Sequence, residues 1–285
     1  MRAILILAKL TFREAMRRRI MLAGLLLGIS FLIIFTIGFH YLLTELMAQI
    51  AANSPSQGMA RVANAETMNG FEIMGLYAAA FLSIAMAALL GADTLAGEIN
   101  SGTIQTIVTK PIRRSEVVLG KWLGFAGLLG LYLLLMAGGI VLSVFVQTGY
   151  TPDHLLIGLS LIYLEALLVM TITLMCSSAF PALATGGIVF GLYGLAFIGG
   201  WIEQFGAFFQ NHTAVKIGII TSLIIPSESL WRRAAFEMQS PFAAALGVSP
   251  FGAISVPSVL MIIYAVVYLV ATLILSIRIF QKRDL

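Results

Sequence analysis

Residues 20–43 read IMLAGLLLGISFLIIFTIGFHYLL, a run without a single Asp, Glu, Lys or Arg. A helix needs about 20 consecutive apolar residues to cross the hydrocarbon core of a bilayer. Because lipid offers no partner to backbone N–H and C=O groups, a segment inside it must satisfy them internally, as a helix does. The run therefore predicts a membrane-spanning helix.

Further apolar runs of spanning length follow along the chain. The complete set of six predicted spans is 20–43, 71–92, 122–146, 155–177, 183–202 and 256–277. A seventh run, 217–225, is too short to span and ends at Pro226, so it predicts a re-entrant or interfacial segment. The expected fold is an all-α polytopic membrane protein with six transmembrane helices, forming a single domain over residues 1–285.

The composition agrees with this fold class. The chain is 60% hydrophobic and 11% charged, whereas soluble domains carry about 25% charged residues. The net charge of +4 could suggest nucleic acid, but the basic residues lie at the ends of the spans, so no nucleic-acid partner is expected. The single cysteine, Cys176, excludes an intrachain disulfide and a cysteine metal site, and no cofactor or metal is expected on this chain.

The lysines and arginines predict the orientation. Thirteen of the 17 lie before the first span, between the second and third, or after the sixth, which share one side of a six-span protein. Basic loops face the cytoplasm. We therefore expect a multi-pass protein of the cell membrane with both termini in the cytoplasm and residues 203–255 as an extracytoplasmic loop.

Residues 1–19 have the pattern of an amphipathic interfacial helix. Lys9, Arg13 and Arg17 recur every four residues and share one helical face. The opposite face would hold Ile4, Leu5, Ala8, Phe12, Ala15 and Met16. Such a helix lies in the headgroup layer with its bases on anionic lipid; alternatively, the segment is only a basic flank that sets topology.

The predicted loop 93–121 carries the most informative motif, GEINSGTIQTIVTKPIRRSEVVLGKWLG at residues 97–124. Apolar residues at helical spacing predict a short helix that Pro111 ends. Ser115 is a plausible N-cap for the next helix, with Glu116 in its first turn. From these residues alone, the segment is either a docking element for a soluble partner or a plain connector.

The motif resembles the cytoplasmic loop of ABC-2-type transporter permeases, including those related to the nitrous-oxide-reductase maturation permease. The resemblance rests on Gly97-Glu98, Gly102-Thr103, Pro111, Arg114 and Gly120-Lys121 in that order. The basic tail at 279–285 is similar to the tail of that family.

The resemblance implies a permease subunit of an ABC transporter, an exporter by the usual direction of the family. Two copies, or this chain and a similar permease, would pair, and a separate ABC ATPase subunit would hold ATP and Mg. The implied ATPase-coupling residues are Glu98, Gly102, Thr103, Ile104, Ile107, Lys110, Pro111, Arg114 and Lys121. This chain has no P-loop motif, so ATP hydrolysis is expected on the separate subunit. As a transport subunit, this chain is not expected to be an enzyme.

Glu165 is the notable polar residue inside a predicted span. A carboxylate at that depth is costly and is often functional. It would be a substrate, proton or gating contact at the dimer interface, or a structural glutamate bonded to Tyr163, Thr171 or a neighbouring helix. Two other functions stay open, namely a membrane scaffold or channel without ATP coupling and an intramembrane enzyme centred on Glu165. The substrate is open as well.

Several residues near the predicted span ends carry simpler expectations. Glu72 and Asp93 are expected to be solvated, and residues 44–70 read as a polar loop. Trp residues concentrate at membrane interfaces, which predicts that position for Trp122, Trp201 and Trp231.

Overall fold

The computed structural model describes residues 2–53, 57–100, 113–240 and 255–283. Within these ranges every regular element is an α-helix. The helices are α1 (Arg2–Arg17), α2 (Arg19–Asn53), α3 (Gln57–Ala92), α4 (Thr94–Asn100), α5 (Arg114–Thr148), α6 (Leu155–Ala179), α7 (Ala182–Phe208), α8 (His212–Ile224), α9 (Ser227–Met238) and α10 (Val259–Lys282).

Six of these helices are long and apolar enough to cross a membrane, namely α2, α3, α5, α6, α7 and α10. They coincide with the six predicted spans, so the predicted fold class is confirmed. The core lies between α3, α5 and α6, where Leu76, Leu128, Leu129 and Leu168 are completely buried. Helices α2 and α10 are much less buried and present most of their apolar side chains outward.

Helices α8 and α9 form a hairpin and meet at a bend of 110°. Helix α8 runs back along α7, since a side chain at Gly206 would meet Ala214 and one at Gly199 would meet Thr221. Helix α9 then returns along α6 and ends with Met238 against Gly158, near the start of α6. Because α7 ends where α6 begins, both ends of the hairpin lie at the same end of the bundle. The seventh apolar run is therefore re-entrant.

The other end of the bundle, called the basic end below, gathers α1, α4, the start of α5 and the end of α10. There the Arg114 guanidinium donates hydrogen bonds to the carbonyls of Gln281 and Arg283, at 3.0 and 2.7 Å. The Arg283 guanidinium in turn donates to the carbonyl of Ser178, at 2.5 Å. These bonds join the starts and ends of three spans. The end that holds the α8–α9 hairpin is called the opposite end.

Two local predictions about helix limits are wrong. Most of residues 44–70 is helical, because α2 continues to Asn53 and α3 begins at Gln57. The N-cap of α5 is Arg113 and not Ser115; the Glu116 carboxylate accepts the Arg113 N–H at 3.1 Å and satisfies it.

Two predictions about exposure are also wrong, and helix α9 explains one of them. Trp231 lies in α9 and packs on the Tyr77 ring with centroids 4.8 Å apart, so it is buried and not interfacial. Glu72 is completely buried, because α3 extends well beyond it and packs inside the bundle. Asp93, by contrast, is exposed as predicted.

Candidate functional site

The break between α3 and α4 at the basic end is held by one serine of α6. The Ser177 hydroxyl donates to the last carbonyl of α3, Ala92, at 2.9 Å. Its oxygen accepts the N–H groups of Leu95 and Ala96 at 3.2 and 3.1 Å. The first N–H groups of a helix have no partner within the helix, so Ser177 satisfies two of them and fixes the direction in which α4 leaves the bundle.

Helix α4 carries Glu98 to a buried ion pair with Lys121 of α5. The ammonium and carboxylate lie 2.5 Å apart, and the two side chains are 5% and 12% exposed respectively. Removing one partner of a buried pair leaves an uncompensated charge and is strongly destabilising. The pair therefore ties the end of α4 to the second turn of α5, at both limits of the predicted coupling loop.

Helix α1 packs along α5 beside this pair. The contact is backbone-close, because a Cβ on Gly120 would lie 2.5 Å from Leu7 Cβ and one on Gly124 would lie 2.7 Å from the Ala8 carbonyl oxygen. Leu7 and Ala15 are buried on this face. The predicted bases Lys9, Arg13 and Arg17 are all exposed on the other side, whereas Leu5 and Met16 of the predicted apolar face are exposed as well.

The junction of α1 and α2 also touches the α3–α4 break. The Arg18 guanidinium donates to the Glu14 carboxylate at 2.7 Å, the i,i+4 pair expected on a helix. It lies 3.6 Å from the Asp93 carboxylate, and a side chain on Gly97 would collide with that carboxylate. The segments that converge around α4 are thus the α1–α2 junction, the end of α3, the start of α5 and the end of α6.

The structure brings some of the predicted coupling residues together and not others. Glu98 and Lys121 meet, while Arg114 binds the end of α10. The remaining predicted residues fall in 101–112, outside the described part of the chain; they are Gly102, Thr103, Ile104, Ile107, Lys110 and Pro111. Sequence reasoning missed Ser177 and the packing of α1 on α5. The glycines four residues apart on α5 were the available signal for that packing.

Glu165 belongs to a second polar region, buried between α6, α7 and α9. It is 1% exposed, and its Oε2 has no hydrogen-bond partner. Tyr163 and Thr171 do not bind it, because their hydroxyls donate to the carbonyls of Ala126 and Leu167. Glu228 of α9 is among the groups near enough to interact with it electrostatically, together with Tyr77 and Tyr193. The carboxyl thus faces the interior of this chain.

A second buried ion pair lies nearer the opposite end. The Arg232 guanidinium of α9 is 2.5 Å from the Glu203 carboxylate of α7, and the side chains are only 2% and 5% exposed. Ser222 accepts a hydrogen bond from Arg232 at 3.1 Å, and Ser255 donates one to Glu203 at 2.7 Å. A side chain on Gly200 would collide with Glu228, so that close approach requires glycine.

Neither region has the donors of a metal centre, since the described residues contain no group of three or more His, Cys, Asp and Glu able to hold one. At the basic end, a buried ion pair joins α4 to α5, hydrogen bonds join the start of α5 to the end of α10, and α1 packs closely against α5.

Comparison with models of known protein families identifies a match. A family model described as ABC-2 family transporter protein matches residues 5–285, which is nearly the whole chain. The match confirms the family resemblance seen in the sequence. No curated protein matches the chain.

Proposed function

Because the chain belongs to the ABC-2 family of transporter proteins, we propose that it is the permease subunit of an ATP-driven transporter, coupled to a separate ATPase subunit through residues 97–121. The observation that carries the proposal is the buried pair between Glu98 and Lys121. It joins described residues on the two sides of the segment 101–112, Glu98 before it and Lys121 after it. A docking element needs this kind of rigid attachment.

The attachment suggests how ATP binding would reach the membrane. Glu98 lies on α4, which continues α3 across the Ser177 junction, and Lys121 lies on α5. A movement of the segment 101–112 by the ATPase would therefore be delivered to two spans together. The spans would adopt one of two arrangements, and the docked ATPase would favour one of them. ATP and Mg would be bound by the ATPase subunit.

The distribution of basic residues supports an orientation. The exposed bases of α1, the start of α5 and the end of α10 all lie at the basic end, and such an end faces the cytoplasm. Both termini would then be cytoplasmic in the cell membrane. Export as the direction of transport, and pairing of two copies as a homodimer, rest on the family resemblance.

The coupling proposal is tested by purifying the tagged chain from its native membrane in mild detergent and identifying co-purifying proteins by mass spectrometry. We expect an ABC ATPase subunit at about one per permease, and its loss in the variant Glu98→Lys. Glu14→Lys is the matched control, because Glu14 forms an exposed pair at the same end. A preparation of Glu98→Lys with normal thermal stability and undiminished ATPase would contradict the proposal.

The orientation is tested separately with an impermeant maleimide on intact cells. The native cysteine, Cys176, is buried, so an introduced cysteine gives the signal. His154→Cys, in the connection between α5 and α6, should be labelled directly, whereas Arg13→Cys on the exposed face of α1 should require permeabilised cells. The reverse pattern would place the basic end outside and exclude ATPase docking there.

The variant Glu165→Gln distinguishes a coupled permease from the functions centred on Glu165. If the chain is a coupled permease, this variant should still bind the ATPase, because Glu165 lies away from the basic end. Loss of function with normal ATPase binding would assign Glu165 a role in the transport path, whereas loss of ATPase binding would contradict the separation of the two regions.

A further inference from the structure

A cavity of about 420 Å³ lies at the opposite end, between the α8–α9 hairpin and the beginning of α10. Small-molecule sites in proteins commonly have volumes of about 300–1,000 Å³. The cavity is therefore of a size that binds a small molecule, and it is distinct from the basic end. Its lining divides into a polar part and an apolar part.

The polar part is the Glu203–Arg232 ion pair with its two serines. Both charged residues line the cavity and are almost completely buried. Glu203 Oε2 and Arg232 Nε nevertheless have no hydrogen-bond partner in the described residues. A buried polar atom without a partner is costly, so a ligand that reached these two atoms would satisfy one acceptor and one donor. The hydroxyls of Ser222 and Ser255 flank them.

The apolar part is formed by α8 and the first turns of α10. Leu223 and Leu260 line the cavity and are 48% and 73% exposed. Tyr264 lies beside them, its hydroxyl donating to the Leu223 carbonyl at 2.5 Å. This wall continues onto the outward apolar surface of α10, so a hydrocarbon chain can lie on it without leaving apolar surroundings.

The charges of the pair select the head of the ligand. A carboxylate and a guanidinium 2.5 Å apart are neutral together, so a formally charged head would be attracted by one and repelled by the other. A hydroxyl or an amide supplies both the missing donor and the missing acceptor. We propose that this cavity binds an amphiphile with one hydrocarbon chain and a neutral, hydroxyl- or amide-bearing head.

The proposal does not depend on ATP coupling, because the cavity and the Glu98–Lys121 pair are at different ends of the bundle. It is tested on the full chain in phosphatidylcholine nanodiscs without an ATPase. The probe is a monoacylglycerol with a diazirine in its acyl chain, and the adducts are mapped by mass spectrometry after irradiation. We expect saturable labelling of residues 219–223 and 256–264, displaced by excess unlabelled monoacylglycerol.

Two comparisons make the outcome decisive. Leu260→Trp fills the apolar part and should lower the labelling at least tenfold, while Leu134→Trp, an equally exposed leucine on α5 (71%), should leave it unchanged. An alkyl phosphate and an alkylammonium of the same chain length should displace the probe at least tenfold less well than monoacylglycerol. Labelling that does not saturate, or that Leu260→Trp leaves unchanged, would overturn the site. Equal displacement by all three amphiphiles would overturn the neutral head.

Discussion

Two buried ion pairs, one at each end of the bundle, join a carboxylate to a base at the same distance of 2.5 Å. The pair at the basic end, Glu98–Lys121, stands at the limits of one inter-span segment and ties α4 to α5. The pair Glu203–Arg232 lies among packed helices and lines a cavity. The same kind of ion pair thus joins two helices at the basic end and lines a cavity at the opposite end. The structure around each pair accounts for this difference.

The largest effect is expected at the more buried pair. Arg232→Met leaves the Glu203 carboxylate without its base, and breaking a buried pair in this way costs about 3–5 kcal/mol. Thermal unfolding in detergent should show a much lower Tm than for the unchanged chain.

The control for this variant is its sequence neighbour. Arg233 forms an i,i+4 pair with Glu237 in which the side chains are 19% and 18% exposed, against 2% and 5% in the Arg232–Glu203 pair, so Arg233→Met should lower the Tm less. The double variant Arg232→Met, Glu203→Met removes both charges and should recover much of the loss. If Arg232→Met and Arg233→Met lowered the Tm equally, the claim that the more buried pair contributes more to stability would be contradicted.

A smaller effect is expected where α1 packs on α5. A methyl group on Gly124 would lie 2.7 Å from the Ala8 carbonyl oxygen, so Gly124→Ala should push α1 away at a cost of about 1–3 kcal/mol. A cysteine at Leu7, which is buried there, should react faster with maleimide in the Gly124→Ala background. Gly138→Ala is the control, because nothing lies within 4 Å of its added Cβ. Unchanged reactivity at position 7 would show that α1 is not held against α5.

The junction of α3 and α4 should be less sensitive. Ser177→Ala removes the hydroxyl that satisfies the N–H groups of Leu95 and Ala96, and the expected loss is about 1–2 kcal/mol. Ser160→Ala on the same helix is a fair control, because that exposed hydroxyl bonds only to the Ile157 carbonyl among the contacts described. The measurement is again the Tm, and a Ser177 variant as stable as the Ser160 variant would contradict the bridging role.

The smallest effect belongs to the surface pair at the basic end. Glu14→Ala removes the i,i+4 partner of Arg18, whose side chain is 22% exposed while that of Glu14 is 47% exposed. Such pairs contribute about 0.3–0.5 kcal/mol. The Tm should fall by a barely measurable amount, and less in high salt because salt screens exposed charges. A loss as large as that of Arg232→Met would remove the distinction between buried and surface pairs.

The features that could be predicted from the sequence are those that local physics enforces. The six spans follow from length and apolarity, because lipid permits little else for such segments. The Glu14–Arg18 pair follows from helical spacing. The sequence of residues 217–225 predicts either a re-entrant or an interfacial segment, since a short apolar run fits both.

The features that were missed depend on contacts between distant segments. Lys121 was not identified as the partner of Glu98, because 23 residues separate them and spacing does not reveal which base is near. Glu72 and Trp231 were expected near the membrane surface, but their burial depends on how α3 extends and where α9 packs. The proximity of Glu228 to the buried Glu165 likewise depends on the return of α9 along α6.

The most direct test of the account is a charge exchange at the basic end, with ATPase co-purification and Tm measured for Glu98→Lys, Lys121→Glu and the double variant. We expect each single variant to lose the ATPase at least tenfold, because two like charges are then buried together, and the double variant to regain most of it. A double variant that recovers the Tm but not the ATPase, or single variants that keep the ATPase, would contradict the claim that this pair holds the coupling segment.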